Sequence, residues 1–233
     1  MIVRCLALLI ALFVPLSALN AQHPMILAKL KEWNDAAPVP GNEILKAEIR
    51  RKAREIYDES AACDNTDIVI DAIEPATADR YTFNAILGRT LRNAWFVTAR
   101  LSGCDIAPAR YMIMQNIDNS LQITRVNRGV SYAWDSLIGD TLPLAQLGAI
   151  VALKRAGVMC SSNEKPTLGV TRIAAKESNL GNSIFGIRYS GSWTEVWPIV
   201  ACKRTVEVSI KFTADGDGGA YNHIPGDKTR VLP

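Results

Sequence analysis

The amino-acid sequence predicts an α+β protein built as two similar helix-on-antiparallel-sheet units in tandem, each closed by one disulfide. Three observations carry that expectation. Cys63 and Cys104 lie 41 positions apart (104 − 63), and Cys160 and Cys202 lie 42 apart (202 − 160). Asn84, Ile86, Gly88 and Trp95 before Cys104 recur as Asn182, Ile184, Gly186 and Trp193 before Cys202, all offset by 98 (193 − 95). A helix-patterned segment ends shortly before each first cysteine. One supersecondary unit built twice leaves such a period in a sequence.

The elements follow in chain order. Residues 1–21 carry Arg4, an apolar run from Cys5 to Leu19 and a small-residue Ala-Leu-Asn-Ala end, the pattern of a secretory signal peptide cleaved after Ala21. The run is shorter than the ~20 apolar residues a membrane span needs. Cys5 opens the apolar run instead of following it, which argues against a lipid anchor. Residues 22–41 form an N-terminal helix, Pro24 to Trp33, and a Pro-rich linker. The first unit, 42–127, begins with a helix capped by Asn42 and reaching about Ser60, with Leu45, Ile49, Ala53 and Ile56 on one face. A tryptophan strand follows, then a hairpin from Tyr111 through the turn Asp118-Asn119-Ser120 to Val126. Residues 128–139 link to the second unit, 140–224. There Asp140 or Thr141 caps a helix with Pro143 in its first turn and Gly157 beyond its end. Lys154 and Arg155 break the apolar run from Leu142 to Met159, so no membrane span is expected after signal cleavage. The strand Thr205 to Thr213 alternates Val206, Val208, Ile210 and Phe212 against Glu207 and Lys211, and Asp215 to Gly219 makes a turn. Residues 225–233 read as a flexible tail.

Loss of the leader removes Cys5 and leaves four cysteines, and an even number in an exported chain favours disulfides. Of three possible connectivities the repeat selects Cys63–Cys104 and Cys160–Cys202, each stabilising by roughly 3–4 kcal/mol through loop closure. A zinc site is excluded by spacing, because no Cys-x-x-Cys exists and the histidines are His23 and His223. No cofactor motif is present, so none is expected. At 48% hydrophobic and 21% charged, the chain has the composition of an ordinary globular protein. Its net charge of +3 is too small to imply nucleic acid. The basic stretch Lys46–Arg54 is interleaved with Glu43, Glu48 and Glu55 as a solvated helix face.

The segment Trp193-Thr-Glu-Val-Trp197, then Cys202, then Phe212-Thr-Ala-Asp-Gly-Asp-Gly-Gly resembles the C-terminal end of uncharacterised exported proteobacterial proteins. That resemblance implies bacterial export, to the periplasm or beyond it, and carries no activity.

The repeat itself points to candidate residues. Trp95, Val97, Ala99 and Leu101 share one strand face and are all apolar, a core pattern. Their counterparts are Trp193, Glu195, Trp197 and Ile199, so a carboxylate stands where the first unit has a valine. Trp193, Glu195 and Trp197 are therefore the candidate binding residues, since a carboxylate between indoles suits a sugar surface or a raised-pKa acid. The competing account is a bulge at Pro198, which cannot donate to a ladder. Asp215 and Asp217 fall short of a calcium loop, which needs Gly and Glu where Ala220 and Gly226 stand. Ser162-Asn-Glu-Lys165 precedes a proline in a polar loop and is no helix-borne nucleophile. No histidine is placed for a triad. The sequence thus implies a non-catalytic exported binding protein whose partner is an envelope protein, a glycan or a foreign enzyme. The alternative is an envelope hydrolase using Glu195 with Asp135 or Asp140.

Overall fold

A computed structural model describes residues 24–56, 67–102, 107–161 and 164–233. The predicted signal peptide, Cys63 and Cys104 lie outside them. Among the described residues four α-helices and one large, mostly antiparallel sheet make an α+β fold. Helices α1 (Pro24–Ala36) and α2 (Asn42–Ile56) come first, then β1 (Ile68–Pro75), α3 (Arg80–Leu87), β2 (Leu91–Leu101), β3 (Ala109–Asn116) and β4 (Leu121–Gly129). Helix α4 (Asp135–Arg155) leads to β5 (Thr167–Leu168), β6 (Val170–Lys176), the small hairpin β7 (Ser183–Ile184) and β8 (Ile187–Arg188), then β9 (Ser192–Ala201), β10 (Arg204–Ala214), β11 (Ala220–His223) and β12 (Arg230–Val231).

The sheet runs β1-β2-β3-β4-β6-β9-β10-β11 without a break. Both segments thus supply a helix followed by strands in neighbouring order, but they share one sheet. The join is a short parallel pairing of β4 with β6, Arg128 with Val170 and Gly129 with Thr171. Thr171 sets this seam: its hydroxyl lies between the Arg128 and Val130 carbonyls at 2.9 and 3.1 Å and accepts from Asn127 Nδ2 at 3.0 Å. Gly129, at φ +84°, lets the backbones meet, since a Cβ there would stand 2.1 Å from the Thr171 carbonyl.

Two cores occupy opposite faces. Trp95, Val97 and Ala99 point to α2 and bury Leu45 and Ile49, as the apolar alternation predicts. Neighbouring Phe96 points the other way, into the larger core with Met112, α1 and α4. There Ala145, Ala149 and Leu153 of α4 cover Trp193, Trp197, Val206, Val208, Ile210 and Phe212. Helix α4 is long and apolar enough to cross a membrane by composition, with a mean hydropathy of 1.5, but here one side of it is buried on the sheet.

Several local expectations change. Helix α4 starts at Asp135, ahead of Asp140, so Pro143 lies inside it. Its N-terminus is capped from elsewhere in the chain: the Ser136 N–H donates to Asp79 Oδ2 at 2.9 Å. No local pattern encodes such a cap. The Asn-x-Ile-x-Gly segment takes two forms. In the first segment it closes α3, which runs from an Asp79 N-cap to Gly88, whereas in the second it is the β7–β8 turn. Gly186 there has φ +93°, and a Cβ would stand 2.6 Å from the Pro75 carbonyl oxygen. Gly88 has an ordinary φ of −74°. Pro198 makes no bulge, for β9 and β10 pair without a shift from Ala201–Arg204 to Ser192–Thr213. It breaks the other edge instead: β5 and β6 separate at Gly169, whose N–H donates to the Pro198 carbonyl at 2.7 Å. The predicted flexible tail contains β12, which pairs with β10 and is pinned where Arg230 and Arg172 both reach Glu207 at 2.8 Å. Cys160 and Cys202 form a disulfide, their Cα atoms 5.3 Å apart.

Candidate functional site

Trp193, Glu195 and Trp197 are brought together, on one face of β9, and all three are 0% exposed. Five donors converge on the Glu195 carboxylate. Oε1 accepts from the Trp193 indole at 2.8 Å and from the backbone N–H groups of Tyr132 and Ala133 at 2.8 and 3.2 Å. Oε2 accepts from the Trp197 indole and the Ser131 hydroxyl, each at 2.8 Å. A buried carboxylate is tolerable only when its lone pairs are so engaged, and buried indoles need such an acceptor. The sequence locates the trio correctly, but a binding surface requires exposure that none of the three has. They form a buried staple that ties β9 to the connection between β4 and α4.

Buried Arg110 and Asp79 and half-buried Asp135 gather close to this staple. Arg110 stacks on Phe96 with its guanidinium carbon 4.0 Å from the ring centroid. It donates to the Ala133 carbonyl at 3.1 Å and to Glu74 at 3.2 Å. Burial holds this guanidinium below its usual range, with Glu74 opposing the shift. Asp79 serves the N-termini of both α3 and α4, accepting from Tyr81 N–H at 3.0 Å as well as Ser136 N–H. Its burial raises the carboxyl pKa despite those bonds. Asp135 is pushed up to about 6, first by burial and then by the Asp79 charge, with Arg110 pulling against both.

The accessible site is elsewhere. A cleft of about 670 Å³ opens where α1, α3, α4 and the β10–β11 turn meet. Its floor is apolar: Ile26 and Leu30 from α1, Ala78, Phe83 and Leu87 around α3, and Trp134 and Leu137 from the start of α4. Its rim is polar and, among the described residues, carries Asp140, Asp215 and Asp217 against the one cation Arg80. Arg80 is bound to Asp140 at 2.9 Å, leaving the two turn carboxylates to set the sign. Asp215 shapes that hairpin turn by accepting from the Asp217 and Gly219 N–H groups at 2.8 and 3.0 Å. Asn222 ties β11 to α4 through Thr141 at 3.2 Å. Among the described residues no group of three or more His, Cys, Asp or Glu side chains is placed to hold a metal ion.

Sequence reasoning missed this cleft because its walls come from four separated segments. The helices α1 and α4 and the Asp215–Gly219 turn were read singly, while α3, the wall the sequence reading left out, carries its own trace, an Asp79 cap and a Gly88 stop around the apolar residues Phe83, Ile86 and Leu87. Of the carboxylates proposed to partner Glu195, Asp140 lies on the cleft rim and half-buried Asp135 beside Asp79 and Arg110. No family model matches the chain, and neither the curated proteins nor the solved structures contain a match.

Proposed function

We propose that the protein is an exported, non-catalytic binding protein, and that its ligand site is the cleft between α1, α3, α4 and the β10–β11 turn. The observation that carries this is the pairing of an apolar floor with an anionic rim in a cavity of about 670 Å³, within the range of small-ligand sites. An apolar group with a cationic or hydrogen-bond-donating end suits it, such as a peptide segment of an envelope protein or of a foreign enzyme. A glycan would leave that floor unpaired. The leader-like N-terminus and the Cys160–Cys202 disulfide support an oxidising compartment, periplasmic or extracellular. The buried state of Glu195 favors a structural role for it over the proton transfer a hydrolase would ask of it.

Tandem duplication is part of the same proposal. It is supported by the shared order of helix and meander, and by each helix covering the face that bears its own tryptophan. The second predicted bridge, Cys63–Cys104, belongs to it.

The binding proposal is tested by placing a photo-crosslinking residue at Leu87, an exposed residue lining the cleft, and separately at the exposed Val200 on β9. Adducts formed in the native envelope from Leu87 alone support the cleft. Adducts from neither position, or equally from both, reject it.

A further inference from the structure

We propose that α4 is also a self-association surface, on which a second copy of this chain docks its own α4 in antiparallel orientation. The buried side of α4 carries Thr141, Ala145, Ala149 and Leu153. Its outer side carries Leu144, Leu147 and Val151, which are 49%, 61% and 40% exposed. Their spacing of three and four residues puts them in one line, the narrow apolar seam of paired helices rather than scattered surface residues. A seam of this width is buried well against one other helix.

The ends of the seam identify the occupant. Exposed Asp140 stands at its N-terminal end, and exposed Lys154 and Arg155 at its C-terminal end. About 20 Å of helix separates them at 1.5 Å per residue. A second α4 laid antiparallel, with Leu147 near the two-fold axis, covers apolar with apolar. It also sets each Asp140, ion-paired with Arg80 of its own copy at 2.9 Å, beside the other copy's Lys154 and Arg155, which add a second pair of cations to that carboxylate. A parallel arrangement would instead bring the Lys154 and Arg155 cations of the two copies together at one end. The surface is therefore complementary to itself in one orientation, as an isologous interface requires. Opposed helix dipoles add to the same preference. Because Asp140 also lines the cleft, docking brings basic residues of the second copy to its wall. The self-association argument rests on the seam alone and stands or falls independently of what the cleft binds.

A single-helix contact is small for a specific interface, so a weak dimer is expected, more than half formed at roughly 100 µM. The test is sedimentation of the purified exported chain over a range of concentrations. Leu147→Glu alters a mostly exposed position and should weaken dimerisation at least tenfold with an unchanged circular dichroism spectrum. Asp140→Lys should weaken it too, and combining Asp140→Lys with Lys154→Asp and Arg155→Asp should restore it. Leu147→Cys should give a disulfide-linked dimer under mild oxidation. A chain that stays monomeric at 100 µM overturns the proposal, as does self-association indifferent to Leu147→Glu. Failure of the charge swap to restore pairing overturns the antiparallel arrangement. A monomeric chain that instead partitions onto lipid vesicles through this seam assigns it to a membrane surface and also overturns the proposal.

Discussion

Two strands in this molecule face the same architectural task and meet it differently. On β2 the face Trp95–Val97–Ala99 is closed by apolar contact alone, against Leu45 and Ile49 of α2. On β9 the corresponding face Trp193–Glu195–Trp197 encloses a carboxylate with five donors. The difference lies in what passes overhead. Helix α2 brings only side chains to β2, whereas the connection from β4 to α4 brings the backbone N–H groups of Tyr132 and Ala133 and the Ser131 hydroxyl over β9. Those donors point at a fully buried position on β9 and need an acceptor there. Glu195 supplies it, and the two indoles turn their N–H groups to the same point. A polar residue in a core strand therefore records the path of another segment more than it advertises a reaction.

The sharpest way to break this comparison is Glu195→Val, which copies the first strand into the second. It should cost at least ~5 kcal/mol in chemical denaturation, because five donors lose their acceptor at once. A cost near 1 kcal/mol would mean that the connection can repack around an apolar residue, and the two faces would be equivalent after all.

Next in size are Trp95→Ala and Trp193→Ala, each expected to cost roughly 3–5 kcal/mol as large buried aromatics. Trp193→Ala should be the costlier, since it also removes a donor from Glu195. Equal losses would show that the indole hydrogen bond contributes little beyond packing.

The paired glycines should separate the two halves more modestly. Gly186→Ala forces a side chain into a φ of +93° and against the Pro75 carbonyl, and should cost roughly 1–3 kcal/mol. Gly88→Ala meets the Asn84 carbonyl at 3.2 Å with an ordinary φ, and should stay within about 1 kcal/mol. Thermal unfolding of the two variants side by side decides the point.

The smallest effect concerns Asp135. Its folded pKa of about 6 lies above the ordinary 3.8, so the folded state holds the proton more tightly than the unfolded one. Its contribution is fully present below about pH 4 and is lost as the pH rises through about 6. Asp135→Asn should therefore be more stable than the parent at pH 7.5, by less than ~1 kcal/mol after solvent screening, with the advantage vanishing near pH 4. An advantage that persisted at pH 4 would point to the lost carboxyl shape instead of its charge.

What was legible in the sequence was periodic or local. The alternation in β2 and β10, the apolar face of α2 and the Asp118–Ser120 turn all depend on neighbours within a few residues, and they stand where the pattern placed them. The 98-residue offset located Trp193, Glu195 and Trp197 on one face but was silent about exposure. Exposure depends on Ser131–Ala133, more than sixty positions earlier. The start of α4 was misplaced for the same reason, because its cap is Asp79. The cleft was invisible, for its floor is assembled from α1, α3 and α4, and no one of those segments is unusual by itself.

The parallel seam between β4 and β6 has a consequence for how the molecule comes apart. Only Arg128–Val170 and Gly129–Thr171 pair across it, whereas β9 and β10 are zipped along their whole length. Amide protons on the two sides are therefore expected to exchange as two cooperative blocks, with residues 128–131 and 170–171 opening ahead of either. The same narrowness sets an order of assembly. Each meander closes through contacts near in sequence, and Thr171 can meet Arg128 and Val130 only after α4 has folded between them. Under tension applied at the chain ends the seam would part first, leaving a four-stranded block, β1 to β4, and a six-stranded block, β5, β6 and β9 to β12, each still hydrogen-bonded within itself.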